Sequence, residues 1–202
     1  NDSAPLPWKR LIEHLQTLSR AELRAVFRQF CATRPAGAKF AHRACDRPAG
    51  SSPSMKWVNP PVAWMLHAAT PLLLGAHVDL PGLHAGDPQR VALEGYPGFA
   101  ARAVLGRRSY KSDTRSKQTE ERQSARAELL RVLESGRHPL GLRLQCADPL
   151  HQTMLRDASG DHLDAALCLM QAAWASARRA QGWGLPSQID PVEGWIVSVP
   201  QG

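Results

Sequence analysis

Arg90-Val91-Ala92-Leu93-Glu94-Gly95-Tyr96, followed by Pro97, is the stretch that decides between a helical bundle and an α/β fold. Val91 and Leu93 alternate with Ala92 and Glu94, the period-two pattern of a strand. Glu94 falls at the C-terminal end of that strand, the edge where sites collect in an open α/β sheet. Helical patterns lie on both sides of it. Residues 8–18 place Leu11, Ile12, Leu15 and Leu18 on one face. Ser19-Arg20-Ala21-Glu22 then reads as a capping box opening a second helix, with Leu23, Val26, Phe27 and Phe30 as its apolar stripe and Pro35 beyond its end. Residues 35–61, rich in Pro, Gly and Ser, read as a long loop that is functional or mobile. Pro60-Pro61 opens a short helix that Pro71 breaks or kinks. Further helices are expected over residues 97–105, 116–135 and 161–181, with weaker strands over 140–144 and 194–199. Helices and strands interleave, so the fold class is α/β.

The composition bounds the function. The 202 residues are 43% hydrophobic and 21% charged, enough apolar material for a real core. No run of eighteen apolar residues is present, which excludes a membrane-spanning helix. No charged segment followed by an apolar one resembles a secretory signal near Asn1. The net charge of +7 favours an anionic partner such as nucleic acid, with ordinary solubility charge as the alternative. Cys31, Cys45, Cys146 and Cys168 form no C-x-x-C pair, so they read as reduced thiols of a cytoplasmic protein. Neither a P-loop nor a dinucleotide fingerprint occurs.

Ser159-Gly160-Asp161-His162-Leu163-Asp164-Ala165-Ala166-Leu167 carries the sharpest chemical signal. Asp161 and Asp164 are three apart, on one face of the first helical turn, where the macrodipole favours carboxylates. The remainder of the helix is nearly all apolar. One reading is a pair of metal-binding carboxylates at the rim of a core. The other is N-capping by Asp161, with Asp164 a solvated first-turn acid. Mg²⁺ and Mn²⁺ prefer oxygen ligands, and Glu94 with Asp161 and Asp164 supplies such a set.

Residues 102–131 carry nine bases against four acids, a net +5. Arg107, Arg108, Arg122 and Arg126 suit phosphate contacts, or else form a solvated face with their stems on apolar surface. Lys111, just after Tyr110, is the best candidate for a single anion contact. His42-Arg43-Ala44-Cys45-Asp46-Arg47 is a compact charged knot, with a surface loop in water as its plain reading. In Glu193-Gly194-Trp195-Ile196 the tryptophan reads as packing, and Glu193 either turns toward a site or serves as a cap.

Taken in order, five of these segments resemble domain-of-unknown-function family 429, described as predicted RNase H-like nucleases. They are Arg43-Ala44-Cys45-Asp46, then residues 90–97, Ser109-Tyr110-Lys111, residues 160–168, and Glu193-Gly194-Trp195-Ile196. The resemblance implies an RNase H-like mixed sheet flanked by helices, with a helical insertion. It also implies hydrolysis of nucleic-acid phosphodiesters with Mg or Mn held by carboxylates. Glu94 matches the mid-chain strand acid, and Asp161 and Asp164 match the acids of the C-terminal helix. The Asp-x-x-Asp-Ala run is similar to the last acidic motif of Holliday-junction resolvases. Arg43, Asp46, Lys111 and Glu193 match recurrent positions, and Arg43 joins the phosphate-binding candidates. The strand that should open such a domain, carrying a first metal-binding Asp, is not visible before Trp8. Residues 1–202 are therefore expected to be the larger, C-terminal part of one longer domain, with Asp2 as a remnant acid. Two other functions remain open: a non-catalytic nucleic-acid-binding or scaffolding protein, and an enzyme acting on a small phosphorylated or acylated substrate.

Overall fold

A computed structural model describes residues 7–201; Asp2 lies outside the described residues. The protein is mixed α/β and mostly helical, and its one sheet among the described residues has two parallel strands. Residues expected as a single domain form two compact units. One is drawn from Asn1–Glu94 and Leu185–Gly202, the other is Gly95–Gly184.

The first unit opens with helices α1 (Trp8–Thr17) and α2 (Arg20–Ala32). The capping box between them is formed: Glu22 N–H donates to Ser19 Oγ at 3.3 Å, and Ser19 N–H donates to Glu22 Oε2 at 2.7 Å. The apolar stripe expected on α2 is only partly buried. Leu23 and Cys31 are covered, whereas Val26 is 50% and Phe30 is 40% exposed. Phe27 instead stacks on Trp57, with ring centroids 6.1 Å apart. The long loop that follows is interrupted by the short helix α3 (Asp46–Ala49).

Helix α4 (Val62–Gly75) runs through Pro71 rather than ending there. A proline deprives the carbonyl four residues earlier of its helical partner. That carbonyl belongs to His67, and Gln16 Nε2 of α1 donates to it at 2.8 Å. A neighbouring helix thus supplies the bond that the sequence removes. Between α1 and α4 lies a core of Trp8, Ile12 and Leu80, with Leu15, Leu66 and Leu73 packed against it.

Strand β1 (Val78–Asp79) pairs in parallel with β2 (Asp87–Val91). Residues 80–86 join them, far fewer than a helical crossover needs. They form a tight turn in which Leu80 and His84 exchange backbone bonds of 2.8 and 2.9 Å. Gly86 is required there, because a Cβ would collide with the carbonyl of Val78. The strand is therefore centred earlier than the alternation of residues 90–96 predicts. Glu94 lies beyond it, in a single parallel bridge with Ile196, whose neighbour Val197 donates its N–H to Glu94 O at 2.9 Å. The terminal strand expected over 194–199 is reduced to that bridge.

The second unit contains α5 (Pro97–Leu105), α6 (Glu120–Glu134), α7 (Asp148–Arg156) and α8 (Asp161–Ser176), with short 3₁₀ turns at Arg115–Lys117 and Arg179–Gly184. Leu129, Leu130 and Leu133 of α6 meet Leu163, Leu167 and Met170 of α8, Leu105 of α5 and Met154 of α7 in one buried core. The strand expected over 140–144 does not form. Its Leu144 N–H donates to Leu133 O at 3.0 Å, so the segment folds back on the end of α6. Helix α7 is absent from the sequence reading, although Asp148-Pro149 is a sound helix start.

Burial sets the expected energetics. Leu167→Ala, at a side chain fully covered between helices, should cost about 2–5 kcal/mol in urea denaturation. Val26→Ala should stay within about 0.5 kcal/mol of the wild type. A large loss for Val26→Ala would show that its exposed face is covered.

Candidate functional site

The motif residues gather into two clusters, one in each unit. In the first unit Arg43 is the centre. It precedes α3, whose first residue Asp46 reaches back to accept Arg43 N–H at 2.9 Å. The Arg43 side chain then donates from Nε and Nη2 to Asp46 Oδ1 at 3.1 and 3.0 Å. Nη1 and Nη2 donate to the two oxygens of Glu94 at 2.6 and 2.7 Å, and Nη1 also donates to the carbonyl of Glu193 at 3.1 Å. A guanidinium has five N–H bonds, and all five are engaged.

This arrangement corrects two readings. The charged knot is not a loop in water: Asp46 is fully buried and its carboxylate also accepts from Ser51 Oγ at 2.8 Å. Nor does Arg43 have a donor left for a phosphate. Burial alone disfavours its charge, but the Glu94 and Asp46 carboxylates more than reverse that and hold the guanidinium charged above its ordinary range. Glu193 is tied in through both ends, its Oε2 accepting Ala44 N–H at 3.2 Å. Glu94 keeps a 43% exposed side chain. The result is an oriented carboxylate, bidentately held on one side and open on the other. It stands in the wall of a cavity of about 530 Å³ whose remaining lining is largely apolar, including Trp8, Leu66, Leu73 and Leu83.

In the second unit the centre is Asp164, in the first turn of α8. Tyr110 Oη donates to its Oδ1 and Lys111 Nζ donates to its Oδ2. Burial raises the Tyr110 pKa, and the Asp164 carboxylate raises it further, so the phenol stays a proton donor. Two features hold the Tyr110–Lys111 segment against the helix start. Gly160 has φ +78° and no Cβ; one built there would lie 2.7 Å from Lys111 Cβ. Ser112 N–H donates to Ala158 O at 3.0 Å.

Arg126 is the third support and the plainest correction among the basic residues. It is 4% exposed and donates to Tyr110 O at 2.7 Å and Leu155 O at 2.8 Å. It is a structural brace, not a phosphate contact. Arg108 is joined bidentately to Glu128, both bonds 2.7 Å, and Arg122 donates to the carbonyl of Lys117. Arg107 is exposed. Four of the nine bases of this stretch, Arg108, Lys111, Arg122 and Arg126, thus bond within the protein, while Arg102, Arg107, Arg115, Lys117 and Arg131 are exposed.

The two aspartates of α8 have different surroundings. Asp164 is half-buried between Tyr110 and Lys111, whereas Asp161 is exposed and accepts from Ser159 Oγ at 3.0 Å. Asp161 is not the cap of α8. The cap position is Gly160, and the first-turn N–H of His162 is met from outside the helix by Asp157, whose Oδ2 accepts it at 3.0 Å and whose Oδ1 accepts Ser159 Oγ at 2.6 Å. Asp157 carries no motif in the sequence, and Tyr110 stands there only within the Ser109-Tyr110-Lys111 segment, with no role of its own. Asp157 stands just before the Ser-Gly that opens the helix, which is the available signal for it; the role of Tyr110 depends on a contact with Asp164 that has no local trace. Glu94 belongs to the first unit, and Asp161 and Asp164 belong to the second.

No family model, curated protein or solved structure matches the chain.

Asp157 yields a test with a defined sign. Partial burial would raise its pKa, but the bonds from Ser159 and from the backbone and ring of His162 outweigh that and hold it well below the usual carboxylate range. A folded pKa below the unfolded one contributes stability above the ordinary aspartate value of about 3.9, which is lost as pH falls through the folded pKa. The melting temperature of Asp157→Asn should lie clearly below wild type at pH 6, and the gap should narrow below about pH 4. A gap independent of pH would assign the loss to packing instead.

Proposed function

We propose that the chain is an RNase H-like phosphodiesterase acting on nucleic acid, with a mixed sheet flanked by helices as its parent architecture. One observation carries the reading. Five motif segments far apart in the sequence resolve into two tight clusters: Arg43, Asp46, Glu94 and Glu193 in one unit, and Tyr110, Lys111, Gly160 and Asp164 in the other. The family resemblance supplies the activity, and the net charge of +7 favours an anionic substrate.

The donors suit a hard divalent cation. Glu94, Asp161 and Asp164 offer only carboxylate oxygens, as Mg²⁺ and Mn²⁺ prefer. Ligating carboxylates are themselves held by hydrogen bonds, which is what Arg43 does for Glu94 and what Tyr110 and Lys111 do for Asp164. Following the resemblance, we assign Glu94 in the first unit, and Asp161 and Asp164 in the second, to metal holding. Held by these carboxylates, Mg²⁺ or Mn²⁺ would supply activation of water and neutralisation of charge on the phosphate oxygens. The chain's own part is to orient the two partnered carboxylates and to keep Lys111 at the acidic start of α8. Lys111 and exposed Arg107 are the cations best placed to meet substrate phosphates. All four cysteines are free thiols, which supports a reducing, cytoplasmic setting. No helix among the described residues is long and apolar enough to cross a membrane.

With Mn²⁺ and a panel of single-stranded, duplex and branched DNA and RNA, the wild type should cleave at least one substrate. A Glu94→Gln/Asp164→Asn double variant should lose at least about 100-fold in rate while keeping its circular dichroism. Cleavage surviving that variant would refute the residue assignment. Salt-sensitive binding with no turnover under any metal would instead favour a non-catalytic nucleic-acid-binding protein.

The apolar cavity in the first unit favours a second reading, an enzyme acting on a small acylated substrate. Its lining has room for a hydrocarbon chain, with Arg43, Glu94 and Glu193 on one wall. Saturable displacement of a fluorescent apolar probe by acyl compounds, with no binding to nucleic acid, would favour it.

A further inference from the structure

A third group of chemically active side chains lies in the second unit, outside both clusters. Glu134 is the last residue of α6, Cys146 stands two residues before α7, and His151 lies within α7. One ligating atom from each lies within 4.8 Å of the other two, and all three residues are half-buried. No pair of them has a recognised metal-binding spacing; they meet because residues 135–147 double back from α6 to α7.

The bonding within this group is unusual in one respect. A single oxygen, Glu134 Oε1, faces both His151 Nδ1 at 2.6 Å and Cys146 Sγ at 3.5 Å. An ionised carboxylate has no proton to give, so both neighbours act as donors. Two protons point at one anionic oxygen from different segments, and a cation at the same point would serve all three groups.

We propose that Glu134, Cys146 and His151 bind a zinc-class divalent cation that clips the loop between α6 and α7. A sulfur, an imidazole nitrogen and a carboxylate oxygen are the mixed donors that Zn²⁺ accepts in tetrahedral sites, with water completing the fourth position. The same set suits Mg²⁺ poorly, since that ion demands oxygen ligands and octahedral geometry. The site therefore differs in kind from the all-carboxylate set of Glu94, Asp161 and Asp164.

The geometry needs little change. Ligands about 2.0–2.3 Å from a tetrahedral ion stand about 3.3–3.6 Å apart. The sulfur already lies at that distance from the Glu134 oxygen, and the His151–Glu134 pair must open by under about 1 Å. On binding, the Cys146 thiol proton leaves to solvent and the thiolate pair forms the metal–sulfur bond. A neutral His151 moves its proton from Nδ1 to Nε2 and coordinates through Nδ1. No electron transfer is involved.

The loop is already anchored where such a clip would act. Arg143 Nε donates to Glu134 O at 2.8 Å, and buried His138 bridges Ala100 O at 3.0 Å and Leu140 N–H at 3.2 Å. The ligands are thus carried by a constrained loop and two helix ends, which limits the ordering cost of binding.

The test uses the full chain, reduced and stripped with chelator, then titrated with Co²⁺ as a spectroscopic stand-in for Zn²⁺. The expected result is a thiolate-to-cobalt charge-transfer band saturating at one equivalent, displaced by Zn²⁺ and not by Mg²⁺. Cys146→Ser should abolish the band, while Cys168→Ser should retain it. Glu134→Gln, which keeps shape and hydrogen bonding, should weaken Co²⁺ binding by at least about 10-fold with unchanged helical circular dichroism. No band in the wild type, or a full band in Cys146→Ser, would overturn the proposal.

Discussion

The Arg43 guanidinium is taken mostly out of water, and a charge in that position must be met by opposite charge and by a partner for each N–H. Asp46 meets it from the same loop, three residues on; Glu94 meets it from the segment after β2; the Glu193 carbonyl meets it from the C-terminal stretch. Three distant parts of the first unit are thus fixed to one planar group. The Arg43–Asp46 pair is the buried half of this arrangement, and losing one partner of such a pair typically costs about 3–5 kcal/mol, because the other charge stays behind unpaired. Glu94 is the exposed half. It inherits a fixed orientation from a group anchored below it, which is the condition a carboxylate needs if it is to act on anything else.

The second unit repeats the logic with the signs exchanged. The central charge is Asp164, and its donors Tyr110 and Lys111 come from the segment after α5. Neither donor is positioned by its own helix. Arg126 holds the Tyr110 carbonyl from α6, the Ala158 carbonyl holds Ser112, and the absent side chain of Gly160 leaves room for the Lys111 stem. Buried Arg126 therefore acts on the candidate site through the backbone, without reaching any substrate.

Much of this was legible in the sequence, and the reasons for the rest are physical. Helix periodicity located α1, α2, α5, α6 and α8 because each has a continuous buried face or a strong start signal. The capping box at Ser19 and Glu22 was readable because both partners are local. The continuation of α4 through Pro71 was not, since the compensating donor is Gln16, on another helix. The strand alternation at residues 90–96 was real but misplaced, because pairing was decided by Gly86 and the turn beside Val78. Among site residues, Arg43, Asp46, Glu94, Lys111, Asp164 and Glu193 all stand out by motif, yet which of them pair with one another does not. An arginine read as a phosphate contact proved to be a buried brace at Arg126 and a saturated node at Arg43, since sequence records charge but not where the opposite charge lies.

The central claim is that carboxylates held in this way bind a hard divalent cation in the service of phosphodiester hydrolysis. Its most direct measurement is Mn²⁺ binding to the full chain, followed by electron paramagnetic resonance of the free ion, in wild type and in Asp164→Asn. The account predicts saturable binding by the wild type that weakens by at least about 10-fold in Asp164→Asn. Wild-type protein that leaves all the Mn²⁺ free, or a variant that binds it as tightly as the wild type, would contradict it.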